Sequence, residues 1–195
     1  MAQLLMRRPH LRELPTVRPL PTGYRVREWA GMADLPSLNA TLQEAFAEPW
    51  DEARARRELL DVPGVKAIYV IEYDGKVVGT ASSKLVPDLF PGSGYVHWVA
   101  VAGDHLRRGL AAVLLNRVLH DFIERDYHDA VLETDDHRLP AISAYLRFGF
   151  LPIYDVRGEH HRERWSAIFQ RLYGRQETDE AIGRDTERSS AERSG

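Results

Sequence analysis

Arg107-Arg108-Gly109-Leu110-Ala111 stands where a strand gives way to a helix, and this short stretch gathers the means to hold an anion. Just upstream, Tyr95 to Val101 is rich in β-branched and aromatic side chains, the composition of a packed strand. Downstream, Leu110, Leu114, Leu115, Val118, Leu119, Phe122 and Ile123 recur at three- and four-residue spacing, an apolar stripe on a helix. A helix that starts here leaves its first N–H groups without intrahelical partners, and Gly109 and Ala111 carry no bulk to shield them. The two arginines add to the partial positive charge of the helix start, so the local chemistry suits a phosphate. An ordinary strand–turn–helix unit with solvated arginines is built in the same way, and local chemistry alone leaves both readings open.

The residues that could move a proton lie close by in the sequence. Period-two counting puts Tyr95, His97, Val99 and Val101 on one face of the strand, and a histidine of ordinary pKa near ~6.5 is mostly neutral at pH 7 and able to accept a proton. A strand histidine serves equally well as a hydrogen-bonded structural residue. Glu133, on the next expected strand, and Glu72, on a hairpin, are carboxylates that would serve as a base through a water. Asp135-Asp136-His137 and His160-His161 have metal-ligand residue types without paired spacing across elements, so capping and exposure account for them and no metal is expected. No Gly-Lys-Ser/Thr follows Gly109, which excludes a Walker-type phosphate loop.

The segment VAVAGDHLRRGLAAVLL resembles the acyl-CoA-binding motif of the GNAT N-acetyltransferases, a strand followed by Gln/Arg-x-x-Gly-x-Gly/Ala. AISAYLRFGFLP is similar to that family's second signature, a short helix carrying a tyrosine and closing on Gly-Phe. The two stand in the family's order, and with the flanking strands the resemblance covers roughly residues 23 to 157. Leu106 stands where the family has Gln or Arg, and Arg138 where many members have Asn. The resemblance implies acetyl-CoA as cosubstrate. Val99, Ala100 and Val101 would then offer backbone groups to the pantetheine arm, and Leu106, Arg107, Arg108, Gly109, Leu110 and Ala111 would hold the pyrophosphate. Ala141 and Tyr145 would lie against the cofactor from the second signature, with Tyr145 meeting the CoA sulfur. Arylalkylamine acetyltransferases in the family look similar in carrying a histidine at the place of His97.

Acetyl transfer sets requirements of its own. Keeping a lysine-like amine neutral at pH 7 costs about 4 to 5 kcal/mol, so a base is worth having. The leaving thiolate derives from a thiol near pKa ~8.5, to which a phenol near ~10 can donate. Tyr145 is therefore expected as the acid, His97 as the leading base and Glu133 as its rival.

Composition removes several other classes. With 195 residues, 44% of them hydrophobic, the chain can bury one sizeable core. Its 26 Lys+Arg against 29 Asp+Glu give a net charge of −3, which offers no general attraction to nucleic acid or to an anionic membrane. The absence of cysteine excludes disulfides and a cysteine acyl-enzyme, favouring direct attack, although a serine intermediate stays open. Neither a signal peptide nor an apolar membrane span is read, so a cytoplasmic protein is expected.

Along the chain, residues 1–22 carry Pro9, Pro15, Pro19 and Pro21 and read as an extended arm or disordered leader. A first strand is expected over 24–29, helices over 33–47 and 52–60, and a hairpin of 67–73 and 77–85 around Asp74-Gly75. A strand over 130–134, a short helix over 140–148 and a strand over 150–156 follow. Residues 160–173 read as a helix where the family usually adds a strand, and 174–195 as a disordered charged tail. The expectation is an α+β (mixed α/β) domain over 23–173, with a central mixed sheet of about six strands flanked by helices. Its expected activity is acetyl-CoA-dependent N-acetylation of a small-molecule or peptide amine, with a homodimer possible. The competing reading is a non-catalytic acyl-CoA-binding or regulatory module on the same fold.

Overall fold

The computed structural model of the chain describes residues 3–156 and 158–174. Seven strands form one mixed sheet in the order β2-β3-β4-β5-β6-β1-β7. They are β1 (Leu4–Arg8), β2 (Tyr24–Glu28), β3 (Val65–Tyr73), β4 (Lys76–Leu85), β5 (Gly94–Val101), β6 (Ala130–Thr134) and β7 (Leu151–Ile153). β5 and β6 are the parallel pair, and the other neighbours are antiparallel. The expected hairpin of β3 and β4 turns through Asp74 and Gly75 at φ of 49° and 69°, the left-handed pair that a two-residue turn matching strand twist requires.

Helices cover both faces. On one face lie α1 (Leu35–Phe46) and α2 (Glu52–Ala55), the latter continuing as a π-helical turn over Arg56–Leu60. The Asp51 side chain starts α2 by accepting the Arg54 N–H at 2.8 Å. Leu38, Leu42 and Leu59 pack there against Val70, Val77 and Ala100 of the sheet. On the other face lie α3 (Leu110–Glu124), α4 (Leu139–Arg147) and α5 (162–174). Leu114, Val118, Phe122, Ile142 and Trp165 join Met6, Ile71 and Val96 in the larger core. Beyond β7, β8 (Asp155–Val156) and β9 (Glu159–His160) form a separate two-stranded ribbon. No helix of the described residues is long and apolar enough to cross a membrane.

The N-terminal segment corrects the sequence reading. Residues 4–8 are not an arm: β1 lies between β6 and β7 and pairs with both, Leu4 opposite Thr134 and Leu5 opposite Ile153. The first proline is Pro9, so the proline argument reaches no residue of β1, and every N–H there is available to a ladder. Leu4 and Met6 are fully buried. Past Pro9 the chain is irregular yet packed, with Leu11 buried and its N–H donating to the His128 carbonyl at 2.8 Å. The folded unit therefore begins well before residue 23. At the other end α5 takes the place of a closing strand, and the remainder of the expected tail, 175–195, lies outside the described residues. Leu4→Ala and Met6→Ala should each cost about 2–5 kcal/mol in urea unfolding, as buried core truncations do. Values near zero would show that β1 is dispensable.

Candidate active site

β5 organises the site because it is irregular. Thr80 of β4 faces Ala100 and Ser82 faces His97, so Ala81 stands opposite both Trp98 and Val99. This is a β-bulge, and Trp98 takes φ of 47°, a left-handed conformation rare for a bulky residue. Contacts on the α1 side hold it: its ring packs edge-on against Phe46 and Trp50 at 4.7 and 4.9 Å, and its indole N–H donates to the Glu58 carbonyl at 2.9 Å. The extra residue reverses the alternation. Val96 before the bulge and Val99 and Val101 after it all pack with the α3 core, while Ala100 joins the α1 side. The expectation that Tyr95, His97, Val99 and Val101 share a face therefore fails, because period-two counting presumes an unbroken ladder.

β5 also leaves β6. The parallel ladder holds at Gly94–Ala130 and Tyr95–Val131 and then stops, so the remaining length of β5 has no strand partner on that side among the described residues. A cavity of about 180 Å³ occupies the parting. β5 contributes residues 95–99, β6 contributes Leu132, Glu133 and Thr134, and α4 contributes Ala141 and Tyr145. Gln3, Phe46, Asp135 and Arg138 complete the wall. The expected residues His97, Val99, Glu133, Ala141 and Tyr145 thus converge, whereas Ala100 and Val101 are buried and Ala100 faces away from Val99.

Electrostatics distinguishes the titratable groups. Burial pushes the Tyr145 phenol up to about 12, with the Arg138 charge working in the opposite direction. Its ring packs against Phe150, and its hydroxyl has no hydrogen-bond partner among the described residues. Burial, helped by the charge of Lys84, depresses His97 to about 3. The Ser82 hydroxyl donates to the His97 carbonyl at 3.0 Å and lies 3.2 Å from its Nδ1. With its one proton so used, Ser82 accepts from Nδ1–H, which leaves Nε2 as the acceptor. Glu133 accepts the Tyr95 O–H at 2.9 Å. Glu72, the other expected carboxylate, lies outside the cavity and is held well below its usual range by hydrogen bonds from Arg25 and Arg27.

At the far end of β5 the chain passes through a short turn, with Arg107 at φ 60° and Gly109 at φ 80°. Open space surrounds Gly109, so the backbone angle rather than crowding asks for glycine. No side chain caps α3 and its first turn holds no acid. Its first backbone bonds run from Ala112 and Val113 to the Gly109 carbonyl, and the N–H groups of Arg108, Gly109, Leu110 and Ala111 have no partner among the described residues. Leu110 contributes backbone alone, since its side chain is in the core, while Leu106 is exposed. β5 thus runs from the cavity toward this turn, and backbone donors without partners at a helix start suit an anion.

Two features of this site escape sequence reasoning. The contacts of Arg138 bridge α4 and α1: it donates to Asp135 at 3.1 Å and lies 4.3 Å above the Phe46 ring. The β5 bulge left no signal, because Trp98 carries none of the glycine character that marks such positions. The metal-like clusters are engaged elsewhere, Asp135 with Arg138, Asp136 with Arg164 and His160 with Asp155.

Residues 35–150 match the model of the Acetyltransferase (GNAT) family. Mycothiol acetyltransferase of Tsukamurella paurometabola is 32% identical over 161 residues, 75% of this chain and 54% of that protein. The chain thus spans about half the length of this curated relative. A GCN5-related N-acetyltransferase from Sphaerobacter thermophilus superimposes with a TM-score of 0.58 at 21% identity, covering 78% of this chain and 50% of that one. AAC(6')-Iy, solved with the bisubstrate analogue CoA-S-monomethyl-acetylneamine, gives 0.55 at 16% identity, covering 66% and 90%. The seven-stranded mixed sheet, the two signatures and the family match lead to one conclusion: this chain belongs to the GNAT acetyltransferase family.

Proposed function

We propose that the protein transfers an acetyl group from acetyl-CoA to a primary amine by direct attack in a ternary complex. The observation that carries this reading is the parting of β5 from β6 beside Tyr145, on the strand that leads to the unpartnered N–H groups of α3. The diphosphate would rest on the donors from Arg108 to Ala111, and the pantetheine arm along the open edge of Val99 to Val101. Acetyl-CoA supplies the activated acyl carbon. The amine lone pair forms the N–C bond, the C–S bond breaks, and the departing sulfur takes the Tyr145 proton. Metal-free chemistry in a cytoplasmic setting fits this scheme.

The base is better assigned to Glu133 than to His97. Charging His97 would bury a second cation near Lys84, whereas a proton taken up by Glu133 removes a charge. Tyr95 O–H occupies one of the carboxylate's lone-pair sites and orients it. Neutral His97 would use Nε2 to accept a hydrogen bond from the amine, holding it for attack.

Release of free CoA thiol over an amine panel tests the reading, and CoA binding without turnover on any amine would favour the non-catalytic module instead. Tyr145→Phe should lower kcat about 100-fold or more with little change in KM for acetyl-CoA, and an unchanged kcat would remove the acid assignment. Glu133→Gln should cause a similar loss, while His97→Gln leaves the shape of the pH–rate profile between pH 5 and 8 unaltered. Stability offers an independent check on His97. The unfolded chain protonates this histidine near ~6.5 and the folded one at about 3, so its contribution is complete above the first value and lost as pH falls toward the second. Between pH 7 and 4.5 the wild type should therefore lose about 2 kcal/mol of unfolding free energy that His97→Gln retains. Equal losses would contradict the depressed pKa.

A further inference from the structure

Lys84 is an unusual cation in this fold. It lies in β4 opposite Tyr95 of β5, two residues along from Ser82 and so on the same face of the sheet as His97. It is half-buried. Half-buried arginines elsewhere are paired with carboxylates: Arg27 with Asp34, Arg54 with Glu58, Arg117 with Glu124, Arg138 with Asp135 and Arg164 with Asp136. Lys84 has neither an ion pair nor a hydrogen bond among the described residues, and its ammonium stands 5.9 Å from the centre of the Tyr95 ring. Burial lowers its pKa, against the distant pull of Glu133. A half-buried ammonium without an anionic partner is a cation only partly compensated by solvent, and an anionic ligand would complete it.

The surroundings indicate where such a ligand would come from. The Tyr95 ring beneath Lys84 lines the cavity, and its hydroxyl holds Glu133. Phe90, from the loop before β5, stacks on the same ring at 5.7 Å, and the His97 ring follows at 6.0 Å. An aromatic wall therefore runs from Lys84 to the two groups that would handle the amine. We infer that the acceptor is an amine bearing a carboxylate, with the carboxylate received by Lys84 and the amine presented to His97 and Glu133 a ring's width away. A single ammonium matches one negative charge, which favours a carboxylate over a phosphate dianion. This assignment deepens the proposed acetyl transfer and rests on it. Neutralising Lys84 would also relieve His97 of one of the two influences that depress it.

The test compares matched amines that differ by the carboxylate alone: alanine with ethylamine, leucine with 3-methylbutylamine, and phenylalanine with phenethylamine. The wild type should favour the amino acid in kcat/KM, mostly through KM, and Lys84→Met should reduce that preference about tenfold or more, as expected for loss of a charge-assisted contact. Taking the preference as a ratio between enzymes cancels the different basicities of the amines. Lys84→Arg should keep most of it. A preference unchanged in Lys84→Met, with turnover intact, would overturn the carboxylate site and leave acetyl transfer standing, with Lys84 merely resting on the Tyr95 ring. Binding of the N-acetylated amino acids to the CoA-loaded protein by calorimetry needs no turnover. Lys84-dependent heats without catalysis would support the site while removing the catalytic reading.

Discussion

Parallel strands remain hydrogen-bonded while their backbones stay about 4.8 Å apart, and β5 and β6 satisfy that condition at two residue pairs before separating. The candidate site depends on the separation. It exposes a row of backbone groups on β5, opens the cavity beside Tyr145, and aims the strand's end at the uncapped start of α3. The bulge at Trp98 makes it compatible with a packed sheet, since the added residue increases local twist and turns β5 away from its neighbour. A tryptophan in the left-handed region costs about 1–3 kcal/mol. Its contacts with Phe46, Trp50 and the Glu58 carbonyl tie that strain to α1 and to the π-helical turn after α2. Those elements thus support the site as well as the core beneath them.

Burial acts differently on each ionisable group around the parting. It raises the Tyr145 phenol and so keeps it protonated at neutral pH, as the proposed acid role requires. The same desolvation keeps His97 neutral, a hydrogen-bonding group more than a proton carrier, and leaves Lys84 poorly compensated. Arg138 introduces a fixed positive charge beside Tyr145 where the family often has Asn, and its bond to Asp135 limits how far that charge can move.

The sheet is completed from the N-terminal side. With α5 at the C-terminal end of the described residues, the place between β6 and β7 is filled by β1 from the N-terminus. Arg8, at the end of β1, is buried and donates to the carbonyls of Phe148, Arg12 and Glu13, and Arg7 pairs with Asp129. Arg8 is therefore held inside the fold, while Arg7 stays exposed and is tied to it through Asp129.

Local pattern carried much of this far. The Asp74-Gly75 hairpin, the apolar stripe of α3, the tyrosine of α4 and the glycine at the α3 start all depend on interactions within a few residues, and the sequence determines those by itself. The position of β1 could not be read locally, because its partners are more than a hundred residues away and its five residues carry no turn or cap to mark them. Nor could the reversal of facing at Trp98, which arises where α1, α2 and β5 meet. The proton chemistry belongs to the same class. Histidine, glutamate and lysine have fixed intrinsic affinities for a proton, but desolvation and neighbouring charge set the working values, and those come into being only when distant segments of the chain close around the group.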